Sequence, residues 1–158
     1  LTYNPKYREP FRPLLPDVEF TEYGDIDAFK MTLGDQGADT AVFIEPIQSE
    51  AGVVIPRQGY LKEVERACRE SGAMLIIDEI STGLGRTGAW WCCAEEQVVP
   101  DILLCGKALS GGVVPVSALI CNAEIYREIN KNPLIHTSTF AGSPLVSAVV
   151  KATIDALR

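Results

Sequence analysis

The hydrophobic positions of this chain fall into two rhythms. Residues 40–44 (TAVFI), 74–77 (MLII), 102–105 (ILLC) and 116–121 (VSALIC) are short, near-continuous apolar runs. Such runs predict strands of a parallel sheet covered on both faces. Residues 59–71 instead space their apolar positions Leu61, Val64, Ala67 and Cys68 along one helical face, and Gly72 can close that helix. Asp25 predicts a cap for a helix running to about Gln36. Further helices are expected at 92–97, 123–130 and, entered through Pro144, 143–157. The β-branched and aromatic residues of 18–23 predict one more strand. Residues 1–17 carry Pro5, Pro10, Pro13 and Pro16, which predict an extended connecting segment. Strands alternating with helices make this an α/β protein, a mostly parallel sheet with helices layered on both sides (α/β/α).

Composition narrows the choice of partner. The 158 residues suit one domain with a hydrophobic core, at 47% hydrophobic and 22% charged residues. A net charge of −7 disfavours nucleic acid or an anionic membrane surface, both of which need clustered Lys and Arg. No apolar run approaches the roughly 18 residues of a membrane span. The cysteines, Cys68, Cys92, Cys93, Cys105 and Cys121, are odd in number and lack a C-x-x-C pair, and His136 is the one histidine. Free thiols in a reducing, cytoplasmic compartment are expected rather than a metal site.

Two of the strands end in chemistry. The run MLII leads to Asp78 and ILLCG to Lys107. Ligands of open α/β sheets sit beyond the carboxyl ends of the strands, so both charges point to a site. Lys107 lies among Leu104, Cys105, Gly106, Ala108 and Leu109, an apolar setting that presses a lysine toward the nucleophilic neutral amine. A carboxylate following MLII needs a cation, and the protonated ring nitrogen of a pyridine cofactor is one. Pyridoxal phosphate enzymes use this pair: a lysine bonded to the cofactor aldehyde and an acid at the ring nitrogen. Between the two strands, Gly83-Leu84-Gly85-Arg86-Thr87-Gly88 matches G-x-G-x-x-G, the mark of a nicotinamide-dependent oxidoreductase. Four residues separate it from Asp78, however, so a glycine-rich backbone turn is the preferred reading. Gly106-Lys107 lacks the upstream glycine and the following Ser or Thr of a phosphate-binding loop.

The segments FIEPIQSEAGVVIP, LIIDEISTGLGRTG, PDILLCGKALSGG and HTSTFAGSPL resemble the successive signatures of the class III, ornithine-aminotransferase-like pyridoxal phosphate enzymes. The opening LTYNPKYREPFRPLLP and the HTSTF run are most similar to the putrescine (diamine) aminotransferases within that family. The resemblance implies residues 1–158 as part of the large domain of a fold-type I transferase. The rest of that domain and a small C-terminal domain would lie outside them. It implies Lys107 as the Schiff-base lysine and proton carrier, Asp78 at the ring nitrogen, and Ser81 at the cofactor in place of a more usual glutamine. Thr139, with Ser138 as the weaker candidate, would reach the cofactor phosphate of the neighbouring subunit in a homodimer, with His136 shaping that loop. Glu50 would gate the substrate pocket, with Glu45 beside it. The implied reaction moves an amino group from a diamine, ornithine-like or other ω-amino donor to a 2-oxo acid such as 2-oxoglutarate. Relatives of the same core include an aminomutase, a decarboxylase and racemases, and a non-catalytic fragment is a further alternative. The isolated segment is expected to be inactive.

Overall fold

The computed structural model describes residues 2–34 and 37–158. Its framework is a four-stranded sheet in the order β1-β2-β3-β4, formed by Ala41–Ile44, Met74–Asp78, Ile102–Cys105 and Ala118–Cys121. The first three strands run parallel, with Phe43 beside Ile76 and Ile77 beside Leu103. β4 returns antiparallel, placing Ala118 opposite Cys105. The sheet is therefore mixed but mostly parallel, as expected, with β4 the one antiparallel strand.

The helices are α1 (Pro5–Arg8), α2 (Ile26–Leu33), α3 (Tyr60–Ser71), α4 (Cys92–Glu95), α5 (Arg127–Lys131) and α6 (Pro144–Leu157). α3 carries out the helical rhythm closely: Leu61, Val64, Ala67 and Cys68 are all buried. They join Phe29 of α2 and Leu75, Ile77, Leu103 and Cys105 of the sheet in one core. Alternation along the strands puts those sheet residues on a common face. On the other face Phe43 and Leu119 are each 53% exposed.

Acidic side chains fasten this core to the backbone. α3 opens at Gly59, which has no side chain to cap it. The carboxylate of Glu96 takes that role, accepting from the Gly59 N–H at 2.9 Å and the Lys62 N–H at 3.1 Å. Asp101 accepts from the Leu75 N–H at 2.8 Å and pairs with Arg69 at 2.7 Å, tying the start of β2 to α3. The five cysteines are free thiols, and burial pushes Cys68 up to about 11 and Cys93 up to about 12.

The flanks differ most from the sequence expectations. Residues 5–11 are helical, α1 followed by a 3-10 turn at Glu9–Phe11, rather than extended. Proline suits a first helical position, and the Asn4 side chain accepts from the Lys6 N–H there. Residues 18–23 form no strand; their composition favours one, but no neighbouring strand supplies a ladder. α2 is capped by Asp25 as expected and ends at Leu33 on Gly34, while Gln36 lies outside the described residues. Residues 123–126 are a turn, so α5 is shorter than the pattern predicts.

Candidate active site

The three parallel strands point the same way, so their last residues share one rim. β1 hands Glu45 to it, β2 ends in Asp78, and β3 leads through Gly106 to Lys107. Directly after β2, Asp78 accepts from the Ile80 N–H at 2.9 Å through Oδ1. This Asx turn bends the chain off the strand and carries Ser81 toward the next strand end. Lys107 reaches back to it: its Nζ donates to Ser81 Oγ at 2.5 Å. Sequence reasoning marks Asp78, Ser81 and Lys107, and the fold brings them together.

The setting of Lys107 corrects one expectation. Cys105, Gly106, Leu109 and Ser110 around it are buried, but the lysine itself is exposed. It opens a 3-10 turn with φ +40°, a left-handed conformation that costs a side-chain-bearing residue about 1 kcal/mol or more. The strained backbone lifts the side chain out of an apolar frame and over the rim.

Glu45 is half-buried beside these groups. Burial pushes its carboxyl above the usual range; the Ser49 N–H opposes the rise, Asp78 adds to it and Lys107 pulls against it. The Tyr23 hydroxyl donates to the carbonyls of Glu45 and Pro46, at 3.0 and 2.7 Å, and so pins the end of β1. Glu50 is exposed in the next loop, which is closed by paired backbone bonds of 3.0 Å between Gln48 and Val54. Ser138, Thr139 and His136 lie exposed between α5 and α6, with no hydrogen bond to Asp78, Ser81 or Lys107 among the described residues.

Glu79 escaped sequence reasoning. It is 1% exposed and has no cation beside it among the described residues. Instead it accepts from the Thr82 hydroxyl at 2.5 Å and the Cys93 N–H at 2.8 Å. Its own N–H donates to the Leu104 carbonyl at 2.9 Å, and its carbonyl receives the Gly83 N–H at 2.9 Å. One residue thereby locks the turn carrying Ser81 to β3, the strand that leads to Lys107. A charged residue inside LIIDEI, one place after the expected acid, was the available signal.

The glycine-rich stretch is a closed turn. Leu84 and Gly85 bond back to Trp90 and Ala89, and no helix starts within 83–88. A Cβ at Gly83 would come within 2.8 Å of the Trp91 ring and 2.9 Å of the Glu79 carbonyl, so this glycine serves close packing. Without a helix N-terminus to receive a pyrophosphate, the nicotinamide reading fails.

A primary amine, a hydroxyl and a carboxylate at adjacent strand ends match an aldehyde-bearing, protonated pyridine ring. The amine can meet the aldehyde, and Asp78 Oδ2, which has no hydrogen-bond partner among the described residues, can meet the ring N–H. The residues present fit pyridoxal phosphate.

Comparison with known proteins agrees. The structure is similar to the ornithine aminotransferase from Toxoplasma gondii, at 41% identity and TM-score 0.92 over 98% of this chain and 36% of that one. A structure of that enzyme has partial occupancy of PLP at its active site. The acetylornithine aminotransferase from Elizabethkingia anophelis matches at 45% identity and TM-score 0.79, over 84% of this chain and 34% of that one. An (S)-enantioselective omega-transaminase from Thermomicrobium roseum matches at 28% and 0.86, over 98% and 39%. The chain thus spans between a third and two fifths of the length of these relatives. The family described as Aminotransferase class-III matches residues 1–158, and this chain belongs to the class III aminotransferases, a family that works with pyridoxal phosphate.

Proposed function

We propose that the protein carrying this chain is a pyridoxal-phosphate-dependent aminotransferase, and that residues 1–158 are part of its cofactor-binding large domain. The observation that carries the reading is the pair of adjacent strand ends, Asp78 on β2 and Lys107 on β3, linked through Ser81. When bound, the cofactor supplies an aldehyde that condenses with amines and a ring that takes up the electrons of a breaking C–H bond. Lys107 would hold the cofactor at its aldehyde carbon and, once displaced there by the donor amine, its free nitrogen would serve as the base that moves a proton from the donor carbon. Asp78 would receive the ring N–H and keep that nitrogen protonated.

The donor is a diamine, an ornithine-like amine or another ω-amino compound, and the acceptor a 2-oxo acid such as 2-oxoglutarate. The two acids at the rim support a substrate with a distal amine: Glu50 is exposed on its loop and Glu45 stands beside Asp78. The names of the ornithine and acetylornithine aminotransferases point the same way, and the putrescine-like opening segment favours a diamine. Thr139 and Ser138, exposed and remote in bonding from Lys107, fit residues that serve the phosphate of a neighbouring subunit in a homodimer. Leu134 and Phe140 on the same stretch are 83% and 79% exposed, as an apolar contact surface would be. The free thiols suit a reducing, cytoplasmic setting.

The test uses the whole protein loaded with pyridoxal phosphate. Borohydride should fix the cofactor on Lys107, as read by peptide mass spectrometry. Lys107→Ala should lose the visible absorbance band and at least about a thousandfold of turnover in a screen of diamines and ornithine derivatives. Full turnover by that variant would sink the assignment.

A further inference from the structure

The Lys107–Ser81 contact is built in a way that a chance meeting of two surface side chains is not. Ser81 stands three residues after Asp78 on a turn closed at both ends, by the Ile80 N–H on Asp78 and by the Gly83 N–H on the Glu79 carbonyl. That turn is tied to β3 by the Glu79 N–H on the Leu104 carbonyl, three residues before Lys107. Lys107 itself, two residues past the end of β3, has φ +40°, which sets the direction of its side chain. The spacing between hydroxyl and amine is thus governed by the β2–β3 ladder, and the two meet at 2.5 Å.

We propose that Ser81 is a positioning residue for Lys107: its oxygen receives one N–H of the amine and holds the nitrogen over the rim. The proposal rests on the functional reading above, which needs Lys107 to collect a proton from the donor carbon and return it within a turnover. An unbranched four-carbon side chain samples many rotamers, so a base of this kind gains from a fixed partner. Ser81 accepts from the lysine, and its own hydroxyl proton stays available to a second acceptor. Asp78, on the same turn, is thereby left to the far end of the ring. One short turn would address both ends of the cofactor.

The experiment compares the parent protein with Ser81→Ala and Ser81→Thr, each as the whole protein. In the cofactor-free state, trace acetic anhydride followed by peptide mass spectrometry reports the reactivity of Lys107, with exposed Lys151 as the internal reference. Ser81→Ala should raise Lys107 labelling about threefold, the effect of losing one modest hydrogen bond, and Ser81→Thr should restore it. With cofactor bound, Ser81→Ala should lower kcat about tenfold with KM within about twofold. The deuterium isotope effect on a carbon-deuterated donor should rise and Ser81→Thr should return it, which loss of stability alone would not do. Lys107 labelling that ignores the alanine variant overturns the proposal. So does a fall in kcat with unchanged labelling and isotope effect, since the serine then acts on the cofactor alone. A parent protein that takes up no pyridoxal phosphate defeats the functional reading, while the labelling still decides the contact.

Discussion

Two groups of carboxylates divide this molecule. In the seam between α3, α4 and the sheet, Glu79, Glu96 and Asp101 each spend both oxygens on this chain's own donors. On the rim above the strand ends, Asp78 accepts one backbone N–H, Glu45 receives one N–H at 3.4 Å, and Glu50 is exposed. The first group is saturated and holds the fold. The second keeps acceptor capacity, which is what a site for a cation or an N–H donor requires. Acidity alone does not separate them; the remaining hydrogen-bonding capacity does.

The sharpest test of this division is Glu79→Ala. It should destabilise the protein by about 3 kcal/mol or more, because the Cys93 N–H and the Thr82 hydroxyl are left buried without a partner. Urea unfolding would measure it, and a loss below about 1 kcal/mol would break the comparison. Next comes Asp78→Asn, which keeps the acceptor for the Ile80 N–H. Its melting temperature should barely move, while turnover falls by about a hundredfold because the ring nitrogen loses its counter-charge. A stability loss as large as that of Glu79→Ala would place Asp78 in the wrong group.

Asp101→Ala comes third, at about 1–3 kcal/mol, since the N–H of fully buried Leu75 loses its acceptor. Arg69 is exposed and should contribute little to that figure, so Arg69→Ala measured alongside should cost less.

The smallest effect concerns Glu45 and pH. Its carboxyl is raised in the folded protein by burial, so the folded state binds more protons than the unfolded one just above the ordinary range. Stability from this group therefore falls as pH climbs from about 4.5 through the raised value, and is level above it. Glu45→Gln should flatten that slope in thermal melts recorded across the acid range. An unchanged slope would mean that another group carries it.

Much of the framework was legible in the chain because its signals are local. The apolar runs ending at Asp78 and before Lys107 needed nothing beyond strand burial to be read, and α3 announced itself by Leu61, Val64, Ala67 and Cys68. The direction of β4 was not legible, since an apolar run of four residues looks the same pointing either way. Residues 18–23 show the opposite failure: strand-like composition with no strand beside it. In the site, Asp78, Ser81 and Lys107 could be named from spacing and resemblance. The role of Glu79 could not, because it depends on Cys93, fourteen positions away, arriving at its carboxylate. The exposure of Lys107 was missed for a related reason: flanking residues describe the backbone's surroundings, and a left-handed φ can send the side chain elsewhere.

That left-handed backbone also bears on engineering. At φ +40° Lys107 occupies a conformation that glycine adopts without penalty, so Lys107→Gly should be tolerated by the fold or even stabilise it. Any campaign that ranks variants by thermostability alone would therefore welcome the loss of the one amine on which the proposed chemistry depends. Selection for stability and selection for turnover pull in opposite directions at this position.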